Sequence, residues 1–236
     1  DRLRVGEAVI YRIPDIDGID WPARALFKDI ADSDIATAAA SLPRGVIDVA
    51  RKSLRISFNC YLIQTQTFVA LIDAGVGNDK QRLDRPAWHQ RRGPFLATLA
   101  ALGFPPERID LVVNTHLHAD HVGWNTVRDG ESWRPTFPRA RYVTSAREFT
   151  HWSGLHDADP ANAVLHGAYA DSVLPLLAAG ALDCVEPPCV IAPGLRLEPA
   201  AGHSPGMMIA ILMAGDAEVA FLADVIHHPI QLSAPT

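Results

Sequence analysis

The segment Asn114-Thr-His-Leu-His-Ala-Asp-His-Val-Gly123 places His116, His118, Asp120 and His121 within six residues. Imidazole nitrogen and carboxylate oxygen are the usual donors for Zn²⁺ and related divalent ions. In an extended stretch His116 and His118 point to one side, and Asp120 and His121 follow on the turn beyond. Two imidazoles can serve one ion, and an Asp with an imidazole a second ion beside it. Two ions roughly 3.5–4 Å apart can hold a hydroxide at neutral pH and polarise a scissile carbonyl or phosphoryl oxygen. The bland alternative is a solvated His-rich loop. A His-x-His-x-Asp-His run directly after an apolar strand argues against it.

Two pieces downstream could join this cluster. Gly202-His-Ser-Pro-Gly206 sets His203 in a tight turn between glycines, sterically free to reach inward. Ala220-Phe-Leu-Ala-Asp224 ends an apolar strand in a carboxylate. Taken alone, each reads as ordinary turn chemistry. A covalent protein nucleophile has little support. The serines lack a Gly-x-Ser-x-Gly elbow, and Cys60, Cys184 and Cys189 have no argued base beside them.

The elements that must carry these residues can be read from pattern. Val5–Ile13 reads as a strand, Asp15–Asp20 as a turn-rich loop and Asp29–Ala40 as a helix. Arg55–Gln64 and Phe68–Asp73 read as a hairpin around Thr65-Gln66-Thr67. Gly93–Leu102 is an expected helix, Ile109–Asn114 a buried strand leading into the His cluster, and Ala140–Thr144 another strand. Ser145 is the expected N-cap of a helix over Ser145–Trp152, with Glu148 completing a capping box. Ser172–Ala179 reads as a helix, and Leu195–Pro199, Met207–Ala214 and Glu218–Ala223 as strands. Strands with interspersed helices imply an α/β protein whose sheet core is flanked by helices.

Composition narrows the function class. The chain has 236 residues, 48% hydrophobic and 20% charged, with a net charge of −6. That balance excludes a general nucleic-acid binder, which would show a basic domain or stripe. No apolar stretch reaches the length of a membrane span. Three cysteines in no zinc-knuckle spacing, and no secretory leader at Asp1-Arg-Leu-Arg-Val, give the expectation of a cytoplasmic protein with reduced thiols. No linker divides the chain, so residues 1–236 read as one domain.

Together these motifs resemble the metallo-β-lactamase superfamily, in its lactonase, arylesterase and organophosphate-hydrolase-like branch. The resemblance runs from about Asn59 to Pro229: Asp73-Ala-Gly75, then Thr115-His-x-His-x-Asp-His121, then Gly202-His203, then Phe221-Leu-Ala-Asp224. It implies a four-layer αβ/βα sandwich of two mixed β-sheets flanked by helices, with a dinuclear site at one edge. It further implies that His116, His118 and His203 bind one metal, that Asp120 and His121 bind the other, and that Asp224 bridges them. Zinc is the expected metal, with Mn, Fe and Co as alternatives. Asp73 resembles the buried acid that braces the metal loops.

The chain departs from that pattern in two places. Lactonase-like members have a further His, well after the bridging Asp, that completes the second site. This chain ends first, at Ser233-Ala-Pro-Thr236, so a C-terminal segment is expected to be missing, or His227 or His228 supplies the ligand. Three residues after the bridging Asp, where quorum-quenching lactonases carry a carbonyl-polarising Tyr, stands His227. Its N–H could serve a developing oxyanion.

The resulting expectation is a dinuclear metal-dependent hydrolase that uses a metal-bridging hydroxide to cleave an ester or lactone of a small apolar substrate. Asp120 and His227 are the candidate catalytic residues. The same site could serve a phosphotriesterase or a β-lactam hydrolase, and a non-catalytic metal-binding scaffold is the alternative of another class. Trp124, Trp133, Phe137, Phe149 and Trp152 follow the metal loop and are candidate pocket-wall or core residues, while His151, His156 and His166 read as surface or supporting groups. The expected partner is a small molecule, with no nucleic acid or membrane and a possible homodimer.

Overall fold

A computed structural model describes residues 1–233; residues 234–236, at the ending where a further segment is expected from the sequence, lie outside the described residues. The strands are β1 (Arg2–Val5), β2 (Ala8–Pro22), β3 (Ile47–Asp48), β4 (Ser53–Gln64), β5 (Val69–Ile72), β6 (Leu111–Val113), β7 (Thr126–Asp129), β8 (Ser132–Pro135), β9 (Arg141–Ser145), β10 (Leu182–Val185), β11 (Cys189–Ala192), β12 (Leu195–Pro199), β13 (Met208–Ala214) and β14 (Ala217–Phe221). The larger sheet has the order β1-β2-β4-β5-β6-β9-β10, with β3 on β4. It is antiparallel as far as β5 and parallel from β5 to β10. The smaller sheet, β11-β12-β13-β14, is antiparallel throughout, because its strands follow one another directly in sequence. The pair β7–β8 stands apart.

The two sheets pack face to face. Ile10, Ile63, Ile72 and Val113 of the larger meet Leu195, Leu197, Met208 and Leu212 of the smaller, all buried. Each such side chain contributes roughly 1.5–3 kcal/mol on burial. On the other face of the larger sheet, Leu62, Leu71, Val112 and Tyr142 pack against Phe95 and Leu99 of the helix Phe95–Ala101 and Leu176 of the helix Leu174–Ala178. The outward face of the smaller sheet is more open, with Val190 and Met213 exposed. Among the described residues no helix is long and apolar enough to cross a membrane, and Cys60, Cys184 and Cys189 are free thiols.

Three expectations need correction. Asp15–Asp20 is not a loop: β2 runs through it on a bulged register against β4. The bulge turns the Asp15 carboxylate inward, where it accepts from Val76 N at 2.8 Å and Gly77 N at 3.2 Å and pairs with Arg91 at 2.8 Å. The first strand is a hairpin, broken at Gly6, whose φ of +55° suits glycine. The capping box at Ser145 is half formed. Ser145 Oγ accepts from Glu148 N, but the buried Glu148 carboxylate points elsewhere.

Parallel strands require long crossovers, and their C-terminal ends carry the chemistry, as is general in open α/β sheets. Asp73 follows β5, Asn114–His121 follows β6, Ser145 ends β9 and Glu148 follows it. The backbones of these loops touch. Ala74 N donates to His121 O at 2.7 Å and Gly123 N to Gly75 O at 2.7 Å. A Cβ at Gly123 would lie 1.9 Å from Val76 O, so no side chain fits there.

Behind this layer lies a buried charge cluster that ties the 78–93 loop to residues 169–173. Arg82 is bidentate to Asp171 at 2.7 and 2.9 Å, and Lys80 Nζ donates to Thr126 Oγ1 at 2.6 Å beneath the Trp133 ring. Burial pulls Lys80 down to about 7, against the opposing attraction of Asp171. The unfolded chain holds this proton up to the ordinary lysine value. Between about pH 7 and 10.5 the folded chain therefore binds fewer protons, and stability rises with pH. The slope is at most about 1.4 kcal/mol per pH unit, or about 3–6 °C in Tm. Thermal melts from pH 7 to 9 should show this rise in the wild type and a flatter line in Lys80→Met; parallel lines would contradict it.

Candidate metal centre

Three groups of metal-ligating side chains lie at the edge between the sheets. The ligand atoms of His116, His118 and His203 lie within 4.8 Å of one another, as do those of His116, His121 and Asp224, and those of His203, Asp224 and His227. The loop after β6 thus meets the β12–β13 turn and the turn after β14. The junction is held by Met208 N donating to Thr115 O at 2.9 Å.

Within the groups, His203 Nε2 is 2.8 Å from His118 Nδ1. Asp224 Oδ1 is 3.3 Å from His121 Nε2, and its Oδ2 is 3.4 Å from His203 Nε2 and 3.2 Å from His227 Nε2. Asp120 stands one step outside, its Oδ2 3.7 Å from His121 Nε2. His116, His118, Asp120, His121, His203, Asp224 and His227 all lie at this edge. His228 does not: its Nε2 lies 3.2 Å from Val46 O and its Nδ1 accepts from Ile230 N, so both ring nitrogens serve the fold. Of the two alternatives for an extra ligand, His227 alone is in reach.

The supporting bonds run as the Asp73 resemblance implies. Asp73 Oδ1 accepts from Thr115 N at 2.8 Å, and Oδ2 lies 2.9 Å from His121 Nδ1, which aims His121 Nε2 at Asp224. Asp73 holds a φ of +58°, a left-handed conformation rare outside glycine. Glu148 braces the other half. Its carboxylate accepts from Leu117 N at 3.1 Å, Trp152 Nε1 at 2.7 Å, Gly206 N at 2.8 Å and Ser204 Oγ. This role was not legible from the sequence, where Ser-x-x-Glu signals a helix cap.

The electrostatics of His116, His118 and His203 suit metal ligands, whereas His121 is held as the partner of three carboxylates. Burial pushes His116 well below its ordinary value, His118 to about 4 and His203 down, leaving neutral imidazoles with lone pairs to offer. Burial also opposes charge on His121, but Asp224, Asp73 and Asp120 outweigh it and hold that imidazole well above its usual range. Burial likewise opposes charge on Asp224, yet His121 and His227 hold its carboxyl far below the carboxylate range. Burial raises Asp120. His116 Nε2 is buried with no hydrogen-bond partner, which is costly for a nitrogen that nothing ligates.

The cluster opens into a cavity of about 1090 Å³. Its aromatic wall is Trp21 from β2, Phe58 from β4 and Trp88 from the 78–93 loop, with ring centroids 5.5–6.5 Å apart. Of the five aromatics singled out just after the metal loop, Trp152 alone lines it. Trp124 stacks on Phe95, Phe137 lies in the outer core, Trp133 covers Lys80, and Phe149 packs near Tyr169. His166 also lines the cavity, whereas His151 and His156 do not.

A family model described as the metallo-beta-lactamase superfamily matches residues 57–236. No curated relative matches the chain. Among solved structures, the chain is similar to a probable metal-dependent hydrolase from Staphylococcus aureus, at 20% identity over 94% of this chain and 75% of that one, with a TM-score of 0.73. It is similar to AidC, a dizinc quorum-quenching lactonase solved with its product, at 20% identity over 96% and 74%, with a TM-score of 0.74. It is also similar to the hydrolase AbOPH of the beta-lactamase superfamily, at 24% identity over 99% and 77%, with a TM-score of 0.76. At these identities the likeness carries the fold.

Proposed function

The chain belongs to the metallo-beta-lactamase superfamily, and from that premise we propose that it is a dinuclear metal-dependent hydrolase, with zinc as its metal, that cleaves an ester or lactone of a small apolar substrate. The observation that carries the reading is the set of three overlapping ligand groups, two of them containing Asp224, lining an aromatic-walled cavity. His116, His118 and His203 would hold one ion, His121 with Asp120 the other, and Asp224 both. When bound, the ions supply a water activated at neutral pH and a Lewis acid for the carbonyl oxygen.

The chain's own residues do the rest. Asp73 and Glu148 fix the ligand-bearing loops before substrate arrives, so little reorganisation remains at the moment of reaction. Asp120 adds negative charge beside His121. His227, partly exposed in the cavity with Nε2 against Asp224, is the donor that can shift to an oxygen gaining charge in the transition state. Trp21, Phe58 and Trp88 bind the apolar arm of the substrate and exclude water.

The test is kinetic. Protein loaded with Zn²⁺ should carry two ions per chain and hydrolyse an aryl ester or a lactone with a kcat/KM of about 10⁴ M⁻¹s⁻¹ or more. Turnover of neither, at full metal occupancy, would overturn the reading. The same ligand set could also serve phosphotriester cleavage, so an aryl phosphotriester belongs in the same assay.

A further inference from the structure

The aromatic end of the cavity holds a cation that makes no ion pair among the described residues. The loop over residues 78–93 is closed at its base by Asn78 and Gly93, which exchange hydrogen bonds of 2.8 and 3.1 Å, in the manner of a compact Ω-loop. It carries five lysines and arginines. Lys80 and Arg82 pair with Asp171, Arg91 with Asp15 and Arg92 with Asp79. Arg85 alone meets no carboxylate or carbonyl among the described residues. Yet it is half buried, lines the cavity, and keeps its Nε buried without a partner. A half-buried guanidinium in an apolar wall is costly unless something supplies the opposite charge.

A second polar group, His166, lines the same end of the cavity across Trp88. Arg85 Cζ is 5.7 Å from the Trp88 ring, and the His166 ring is 6.3 Å from the same ring. Asp84 lies 2.6 Å from His166 Nδ1. That bond fixes the imidazole and leaves Nε2 as its free end. It also engages the carboxylate nearest in sequence to Arg85. The backbone holds His166 there at some cost: Leu165 and His166 sit at φ 55° and 58°, two consecutive left-handed residues with side chains. Such strain persists where the surroundings fix it and gathers at ligand sites.

We propose that this end of the cavity binds a carboxylate at the far end of the substrate's apolar arm, with Arg85 as its counter-charge and His166 Nε2 as a second contact. The planar guanidinium matches a carboxylate with two parallel hydrogen bonds. The proposal rests on the ester or lactone reading and specifies its substrate as one acidic at the end remote from the scissile bond.

The test uses matched pairs on the metal-loaded protein. For binding, N-phenyl adipamic acid is compared with hexananilide, stable amides of equal arm length with and without the terminal carboxylate, by quenching of the wall tryptophans. The wild type should bind the carboxylate-armed amide about tenfold more tightly. Arg85→Met should erase that preference and leave hexananilide unchanged, Arg85→Lys should keep part of it, and His166→Gln should lose about threefold. Equal binding by the wild type, or a preference that survives Arg85→Met because the carboxylate sits on the metals, overturns the proposal. For turnover, mono-4-nitrophenyl adipate is compared with 4-nitrophenyl hexanoate. If both are cleaved with equal KM, the reaction stands and this subsite fails. If neither is cleaved while the amide preference holds, the subsite stands and the reaction fails.

Discussion

Asp224→Ala is expected to lower bound metal from two ions per chain to one or fewer, and to reduce hydrolysis by about 10³-fold or more. Two of the three ligand groups contain Asp224. Its Oδ1 faces His121 and its Oδ2 faces His203 and His227, so one carboxylate joins side chains from both halves of the site. Losing it removes the group that binds the halves into a pair, and a metal pair stabilises transition-state charge by several kcal/mol, at about 1.4 kcal/mol per decade of rate. Asp224→Asn keeps the shape and loses the charge, and should fall between. Asp73→Asn is a useful contrast: it disturbs His121 from behind and should cost about 10–100-fold. Because Asp224 lies in a turn after β14 and not in the core between the sheets, the Ala variant should remain folded. Elemental analysis and ester kinetics together check the prediction. Two ions per chain with activity within about tenfold of wild type would remove Asp224 from its assigned role.

The parts of the site that were legible in the sequence are the local ones. His116, His118, Asp120 and His121 leave one strand in a single stretch, so residue type and spacing sufficed. His203 and Asp224 lie far along the chain and had no intrinsic signal beyond turn chemistry; only resemblance to a family joined them to the cluster. The cavity wall was legible only at Trp152, for a physical reason. Whether an aromatic faces a cavity or a core depends on which sheet face it lands on and what packs there. Trp124 and Phe137 lie in the outer core beneath the larger sheet, while Trp21 and Phe58 reach the cavity across bulged β2–β4 pairing that no periodicity announces. The same bulges hid Asp15, whose sequence context of Pro, Asp and Gly suits a turn equally well. Elements with a regular pattern, such as the β4–β5 hairpin and the β12–β13–β14 meander, fell close to their expected bounds.

Glu148→Ala is expected to be the most destabilising single substitution at the site, by about 3–5 kcal/mol, which lowers Tm by about 6–20 °C. Ser145 and Glu148 look like a helix cap, and only the Ser145 half of that motif is used. The carboxylate instead collects donors from three other places: Leu117, between His116 and His118; Ser204 and Gly206, just after His203; and Trp152, one turn along its own helix. All but Trp152 are buried, so Ala leaves several donors without acceptors at about 1–3 kcal/mol each. The packing leaves no room to compensate, because a Cβ at Gly206 would lie 2.2 Å from Glu148 N. Glu148→Gln separates charge from shape. Its amide nitrogen must face either Gly206 N–H or the donors on the other oxygen, so it should destabilise by about 1–3 kcal/mol. Both variants loosen His118 relative to His203 and should weaken metal binding by about 10–100-fold, whereas a purely structural brace would lower Tm and leave the metal affinity of the folded fraction intact. Isothermal titration below the melting range separates the two outcomes, and a Glu148→Ala protein that melts within about 2 °C of wild type would show that the four donors find other acceptors.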